Sequence, residues 1–132
     1  MWRFTVKSGA RTEMIDITAH VRQALREAGL REGICVVFVP HTTAAVTINE
    51  NADPAVPRDI LAALERLAPR HGAYSHTEGN ADAHIKSTLV GSSVVACITG
   101  GELVLGTWQS VFFCEFDGPR TRQVLVHFLP AA

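Results

Sequence analysis

The sequence predicts an α+β fold, a single domain (residues 1–132) built on a large, mostly antiparallel β-sheet or sandwich of about seven strands with two main helices. Three observations predict it. Short apolar segments with strand character recur along most of the chain. Two segments instead carry a helical apolar stripe between start and stop residues. The closing third is β-type throughout, broken only by turn residues.

Taken in order, Trp2, Phe4 and Val6 alternate with Arg3, Thr5 and Lys7, the pattern of a half-buried strand. Residues 13–17 (EMIDI) read as a second short strand. Thr18 is positioned to cap a helix over 19–28, whose stripe is Val21, Ala24, Leu25 and Ala28, with Gly29 as its left-handed stop. ICVVFV at 34–39 is continuously apolar and β-branched, so it predicts a strand covered on both faces, ended by Pro40. Ala44, Val46 and Ile48 mark the next strand. Asp53-Pro54 starts the second helix, with Ile60, Leu61, Leu64 and Leu67 as its buried face and Pro69 and Gly72 as its end. Residues 70–83 read as a long polar loop, the kind that carries function in compact domains. Residues 83–91 fit a short helix. SVVACIT (93–99), a Gly100-Gly101 turn and ELVL (102–105) follow, with Gly106 as a bend or bulge. TWQSVFFCEF (107–116) and TRQVLVHFL (121–129) flank Asp117-Gly118-Pro119-Arg120, which predicts an antiparallel hairpin.

Composition narrows the function classes. The 132 residues carry 12 basic and 13 acidic side chains, so the formal net charge is −1. That balance supplies no electrostatic field for nucleic acid or an anionic membrane surface, and neither is expected as a partner. No apolar run nears the ~20 residues of a spanning helix. No signal peptide is visible, and Cys35, Cys97 and Cys114 all sit in apolar runs without a CxxC pair. Reduced, buried cysteines and a cytoplasmic location are the expectation.

The polar signal gathers at strand ends and in the central loop. His41 follows Pro40; Asn49, Glu50 and Asn51 follow the next strand; the loop supplies His76, Glu78, Asn80 and then His84. Three histidines are the protein ligand count of an open zinc site. The separation of His76 and His84 matches neither a helix face nor a strand, so they meet only if the loop folds back. Each histidine taken singly fits a loop residue with a polar partner better than it fits a metal ligand. Gly79, ahead of a short helix, lets backbone N–H groups converge on an anion, with Lys86 and Arg120 as cations; a capped loop with a solvated lysine fits the same residues. Glu115 and Asp117, two apart, point to one face if both are strand residues and can then share a metal or a proton; equally, Asp117 can serve only to stabilise its own turn. His20, His71 and His127 read as surface residues. No GxSxG elbow is present, and no cysteine has an electropositive neighbour, so neither a serine triad nor a thiolate nucleophile is expected.

In this order, HTTAAVTINEN (41–51), HTEGNADAHIKSTLVGSS (76–93) and GGELVLGTWQSVFFCEFDGPR (100–120) resemble the YjbQ-type family, described as secondary thiamine-phosphate synthases. The resemblance covers nearly the whole chain, and GTWQ followed by EFDGPR is its most specific part. It implies a homotrimer of α+β domains with pockets near subunit boundaries. It also implies a metal at His41, His76 and His84, zinc by ligand type. The remaining motif positions map to Glu78, Lys86, Glu115, Asp117 and Arg120 as catalytic candidates and to Thr42, Thr43, Asn49, Asn80 and Gln109 as substrate contacts. The implied reaction joins a pyrimidine diphosphate to a thiazole phosphate and releases pyrophosphate, with Lys86 and Arg120 on the phosphates and magnesium as a further candidate ion. Magnesium prefers oxygen ligands and three histidines prefer zinc, so one metal does not serve both roles. Two other readings stay open: a metal-dependent hydrolase of a small phosphorylated or amide substrate, and a non-catalytic trimeric module that captures a ligand or metal.

Overall fold

The fold is described from a computed structural model covering residues 1–132. Eight strands and three helices follow one another as β1 (Trp2–Lys7), β2 (Glu13–Asp16), α1 (Thr18–Ala28), β3 (Gly33–Phe38), β4 (Ala44–Glu50), α2 (Ala55–Leu67), α3 (Ala81–Val90), β5 (Ser93–Thr99), β6 (Glu102–Leu103), β7 (Gln109–Glu115) and β8 (Thr121–Pro130). They form a five-stranded sheet in the order β1-β8-β3-β5-β6 and a three-stranded sheet in the order β2-β7-β4. Every pairing is antiparallel. The α+β class is therefore as expected, and each strand and helix read from the sequence, the short helix at 83–91 included, has its counterpart.

Period-two phase dictates how the sheets stack. Val6, Cys35, Val37, Ala96, Ile98, Val124 and Val126 from the larger sheet pack against Ala44, Val46, Val111 and Phe113 from the smaller one, with Val21 and Leu25 of α1 in the same core. Burying each such side chain stabilises the fold by about 1.5–3 kcal/mol. The other face of the smaller sheet, through Phe112, Cys114 and Ala45, meets Ala83 of α3 and Leu61 and Leu64 of α2. The smaller sheet is thus a middle layer. This is why β7 reads as an almost unbroken apolar run: both of its faces are covered.

Several expectations are corrected. β3 buries Cys35 and Val37, but Ile34 and Phe38 on its other face are exposed, so within one chain it is covered on one side only. Cys97, paired with Ile34, is exposed on that same outer face, whereas Cys35 and Cys114 are buried. β7 and β8 do not pair as a hairpin. The turn at 117–120 carries the chain from one sheet to the other, because it docks on the loop after β1: Gly118 N–H donates to Arg11 O (3.0 Å) and Ser8 N–H to Arg120 O (3.0 Å). A side chain at Gly118 would run into the Ala10 carbonyl. Thr18 begins α1 but does not cap it. Asp16 accepts from the Thr18 N–H (2.9 Å) and hydroxyl (2.6 Å), and the Thr18 oxygen accepts from Val111 N–H (2.8 Å). Asp53 does accept from Ala55 N–H (2.9 Å) at the start of α2, but Leu67 at its end is 71% exposed and no residue of the helix is fully buried. The expected strand at 102–105 is only two residues long, although Gly100 and Gly101 make its turn with φ of 61° and 78°.

Candidate functional site

Three loops at one end of the sandwich converge: the segment after β3, the turn at 117–120, and the start of α3. Between them lies a cleft of about 390 Å³ lined by ten residues, with Pro40 the one apolar ring among them. His41, Thr42, Thr43, Glu78, Asn80, His84, Asp117 and Arg120 line it, as does Arg122, which the sequence reading passed over.

Its floor is a buried ion pair. Glu115 is fully buried, accepting from Arg122 Nε (2.9 Å), Ser8 Oγ (2.7 Å) and the Asp117 N–H (3.0 Å). Burial pushes the Glu115 carboxyl up, but the hydrogen bonds from Arg122, Ser8 and Asp117, with the Arg122 charge, outweigh it and hold the group below the usual carboxylate range. Arg122 also donates through Nη2 to Thr43 Oγ1 (2.9 Å). Its Nη1 is the nitrogen left without a protein partner. Because the Thr43 oxygen accepts from Arg122, its hydroxyl proton remains for a ligand.

A second network braces the rim. Asp117 accepts from Arg11 (3.1 Å), Asn80 (2.9 Å) and Arg120 (3.0 Å). Arg11 also holds Asp82 (3.0 Å), and Asp82 holds Lys86 (2.9 Å), which reaches Glu65 on α2 (2.7 Å). Lys86 is 1% exposed and stands behind the cleft, clamped between α2 and α3. Arg120, with its side chain 54% exposed, is the cation at the mouth.

The three histidines are neighbours without forming a ligand set. The rings of His76 and His84 meet edge to face at 5.2 Å, and His41 and His84 line the same cleft. His41 Nε2 accepts from Gln123 N–H (2.9 Å). In the neutral ring the proton is therefore on Nδ1, a donor and not a metal ligand. Burial, and then the Arg122 charge, hold the His41 pKa below its ordinary 6.5. No group of three or more His, Cys, Asp or Glu side chains is placed to hold a metal ion. The donors do not fit zinc as they stand. Nor do they fit magnesium, since the oxygens of Glu115 and Asp117 already serve Arg122, Arg11, Asn80 and Arg120. Glu78 is exposed on the rim, 3.7 Å from His76 Nε2.

Two expected contacts lie elsewhere. Ala44 pairs with Glu115 and Glu50 with Gln109, so Asn49 and Gln109 are five and six residue steps, roughly 17–20 Å, down the sheet from the cleft. There Asn49 accepts from Glu50 N–H (2.7 Å) and Gln109 from Gly106 N–H (2.8 Å). Arg11, Asp82 and Arg122 are what the sequence reading missed. Arg122 had a signal: it shares the inward phase of Val124 and Val126, and an arginine at a core position requires a buried partner. Arg11 had none, since its two carboxylates lie 71 and 106 residues away.

The fold and the cleft define a class: a two-sheet α+β domain with an arginine- and histidine-lined polar cleft and no helix long and apolar enough to cross a membrane. Residues 2–131 match the family model described as UPF0047 protein YjbQ-like. The UPF0047 protein MJ1081 of Methanocaldococcus jannaschii is 48% identical over 129 residues, 98% of this chain and 94% of that protein. YugU of Bacillus subtilis, also a UPF0047 protein, is 47% identical over 125 residues, 94% of this chain and 95% of its own. Among solved structures, an uncharacterized YjbQ/UPF0047 protein of Clostridium acetobutylicum superposes with a TM-score of 0.96 at 50% identity, covering 98% of this chain and 100% of that one. Hypothetical protein APE1520 of Aeropyrum pernix gives 0.94 at 42% identity, with 98% of both chains covered. The chain belongs to the YjbQ/UPF0047 family.

Proposed function

We propose that this protein is a transferase of the secondary thiamine-phosphate synthase type, acting on a small phosphorylated molecule held in the cleft. The observation that carries the reading is the lining itself: Arg120 and Arg122 with unengaged nitrogens, the Nδ1–H of His41, and the Thr42 and Thr43 hydroxyls, with Pro40 the one apolar ring beside them. Such a donor set suits a phosphate or pyrophosphate. The lone pair of the thiazole nitrogen forms the new C–N bond to the pyrimidine methylene carbon. The C–O bond breaks, and its electrons leave on pyrophosphate. Arg120 and Arg122 bind that anion, His41 donates a hydrogen bond to it, and Glu78 offsets the positive charge that develops on the thiazolium nitrogen. Lys86, Asp117 and Glu115 hold these groups in place from behind.

The assembly we assign is a homotrimer, consistent with the exposed apolar row of the larger sheet. Asn49 and Gln109 then serve a neighbouring copy's pocket if they contact substrate. The three free thiols fit a cytoplasmic setting.

Purified protein incubated with the pyrimidine diphosphate and the thiazole phosphate is expected to form thiamine phosphate. Arg120→Ala is expected to lower kcat/KM by about 10²-fold, the scale of one lost charge-stabilising contact. No product above a protein-free control would overturn the assignment.

A further inference from the structure

The lining of the cleft poses a problem for an anion. Arg120 and Arg122 stand against Asp117 and Glu78, with the Glu115 carboxylate beneath, so the wall holds no excess positive charge. Glu115 offsets Arg122 directly. Asp117 accepts from Arg120 through Oδ2 (3.0 Å) and through its backbone carbonyl (2.8 Å). A carboxylate in contact with a guanidinium cancels much of its attraction for a phosphate. The cation that corrects this lies outside the lining. Arg11, with its side chain 21% exposed, sits behind Asp117 and does not border the cleft.

We infer that Arg11 is a positioning residue for the anion site: it takes up the charge and one oxygen of Asp117, and so leaves Arg120 free to hold a phosphate. The inference rests on the phosphate-binding reading above and adds a residue that never touches the ligand. Three observations support it. First, the Asp117 oxygens are divided. Oδ1 accepts from Arg11 (3.1 Å), whereas Oδ2 accepts from Asn80 (2.9 Å) and Arg120 (3.0 Å). Without Arg11, the Arg120 guanidinium closes on both oxygens as a bidentate pair and turns from the cleft. Second, the Arg11 fork is divided as well. Its other nitrogen donates to Asp82 (3.0 Å), which has no exposed surface. Asp82 belongs to α3 and Asp117 to the turn after β7, so one guanidinium sets the spacing of two cleft walls. Third, charge alternates along a continuous path: Glu65, Lys86, Asp82, Arg11, Asp117, Arg120, with each contact between 2.7 and 3.1 Å. Three cations match three carboxylates, and the cationic end is the one at the cleft. Loss of Arg11 leaves an unmatched carboxylate charge on Asp117, beside the ligand.

Calorimetric titration of the full chain with inorganic pyrophosphate tests this, with far-UV circular dichroism to check the fold of each variant. Arg11→Met is neutral and of similar length, and is expected to weaken pyrophosphate binding about tenfold, the scale of one charge-assisted contact. Arg11→Lys keeps the charge and has donors for both carboxylates, so it is expected to bind within about threefold of the unsubstituted chain. Arg11→Met combined with Asp117→Asn restores the charge balance, and the new amide keeps an oxygen toward Asn80 and Arg120. The double variant is expected to recover affinity to within about threefold of the unsubstituted chain, because the two effects are coupled. If Arg11 only held the fold together, the second substitution would weaken binding further. Unchanged affinity in Arg11→Met would overturn the inference while the phosphate-binding reading stands. So would a double variant weaker than Arg11→Met. Should Arg11→Met fail to fold, Arg11→Lys decides: a loss of about tenfold overturns the inference, and affinity within about threefold supports it. No binding of pyrophosphate by the unsubstituted chain would remove the phosphate-binding reading and this inference together.

Discussion

His41 shows how one side chain takes its role from groups that are remote in sequence. Its Nε2 accepts from the Gln123 backbone, and its ring lies beside Arg122. Protonation would place a second N–H against the Gln123 N–H and a second cation beside the guanidinium, so the folded state favours the neutral ring. The unfolded chain therefore binds this proton first as pH falls. The contribution of His41 to stability is complete above its ordinary 6.5 and is lost as pH falls through the lower folded value. A ¹H–¹⁵N titration of the ring nitrogens is expected to give His41 a midpoint below 6.5, with Nδ1 as the protonated nitrogen; a midpoint at or above 6.5 would contradict this placement. In the sequence, His41 stands out only as a histidine after a strand. Its tautomer is set by β8, 82 residues on, and no local pattern carries that contact. Glu115 and Asp117 were legible as a pair two residues apart, but β7 ends at Glu115 and Asp117 lies in the turn that follows; that they act as buried anchors and not as metal oxygens depends on Arg122 and Arg11.

At the scale of elements, strand phase and turn chemistry were legible and strand partnership was not. Phe112 and Phe113 alternate faces as the period requires. Nothing local, however, says that β7 joins the smaller sheet and β8 the larger, because that choice is made by the loop after β1 docking on the 117–120 turn. The helices show the same limit. The stripe of α2 was readable, but the helix is held to the fold by Leu61 and Leu64 and by the Glu65–Lys86 contact (2.7 Å), not by a fully buried face. Removing Lys86 would leave Asp82, which has no exposed surface, with Arg11 alone. Lys86→Met is expected to cost about 3–5 kcal/mol in urea unfolding, the scale of breaking one partner out of a buried pair. It is also expected to speed amide exchange in α2 more than in β3 or β8. A loss under about 1 kcal/mol would mean that the clamp contributes little. The acid side follows with the same sign. The Lys86 hydrogen bond lowers the Glu65 carboxyl pKa. At Asp82 burial raises the pKa, but the hydrogen bonds and charges of Lys86 and Arg11 outweigh it. Both groups therefore lend stability above the ordinary carboxylate range that disappears as pH falls through their folded values, and Lys86→Met should flatten that acid slope.

For the whole molecule, the larger sheet poses the remaining physical problem. Its inner face is core, yet its outer face presents Ile34 and Phe38 on β3, Val95 on β5 and Leu129 on β8, all exposed. These residues are contiguous: Ile34 pairs with Leu129, and Val36, between Ile34 and Phe38, pairs with Val95. The continuous apolar run at 34–39 predicts a strand covered on both faces, and one chain covers only one. A patch of this kind on a folded protein marks an association surface, and a further copy of the chain is the partner we assign. Light scattering of the purified protein is expected to give the mass of three chains of 14.3 kDa. Val95→Lys is the discriminating variant. Val95 is 55% exposed within one chain, so the substitution leaves the sandwich core intact while placing a charge in the centre of the outer row. It is expected to reduce the mass to that of a single chain without changing the far-UV circular dichroism. Because an interface binds and desolvates Val95 only in the assembly, the variant should also lose the concentration dependence of Tm that a trimer imposes. A wild-type mass of one chain, or a Val95→Lys variant that stays trimeric, would place the contact elsewhere and leave the outer face of this sheet facing solvent.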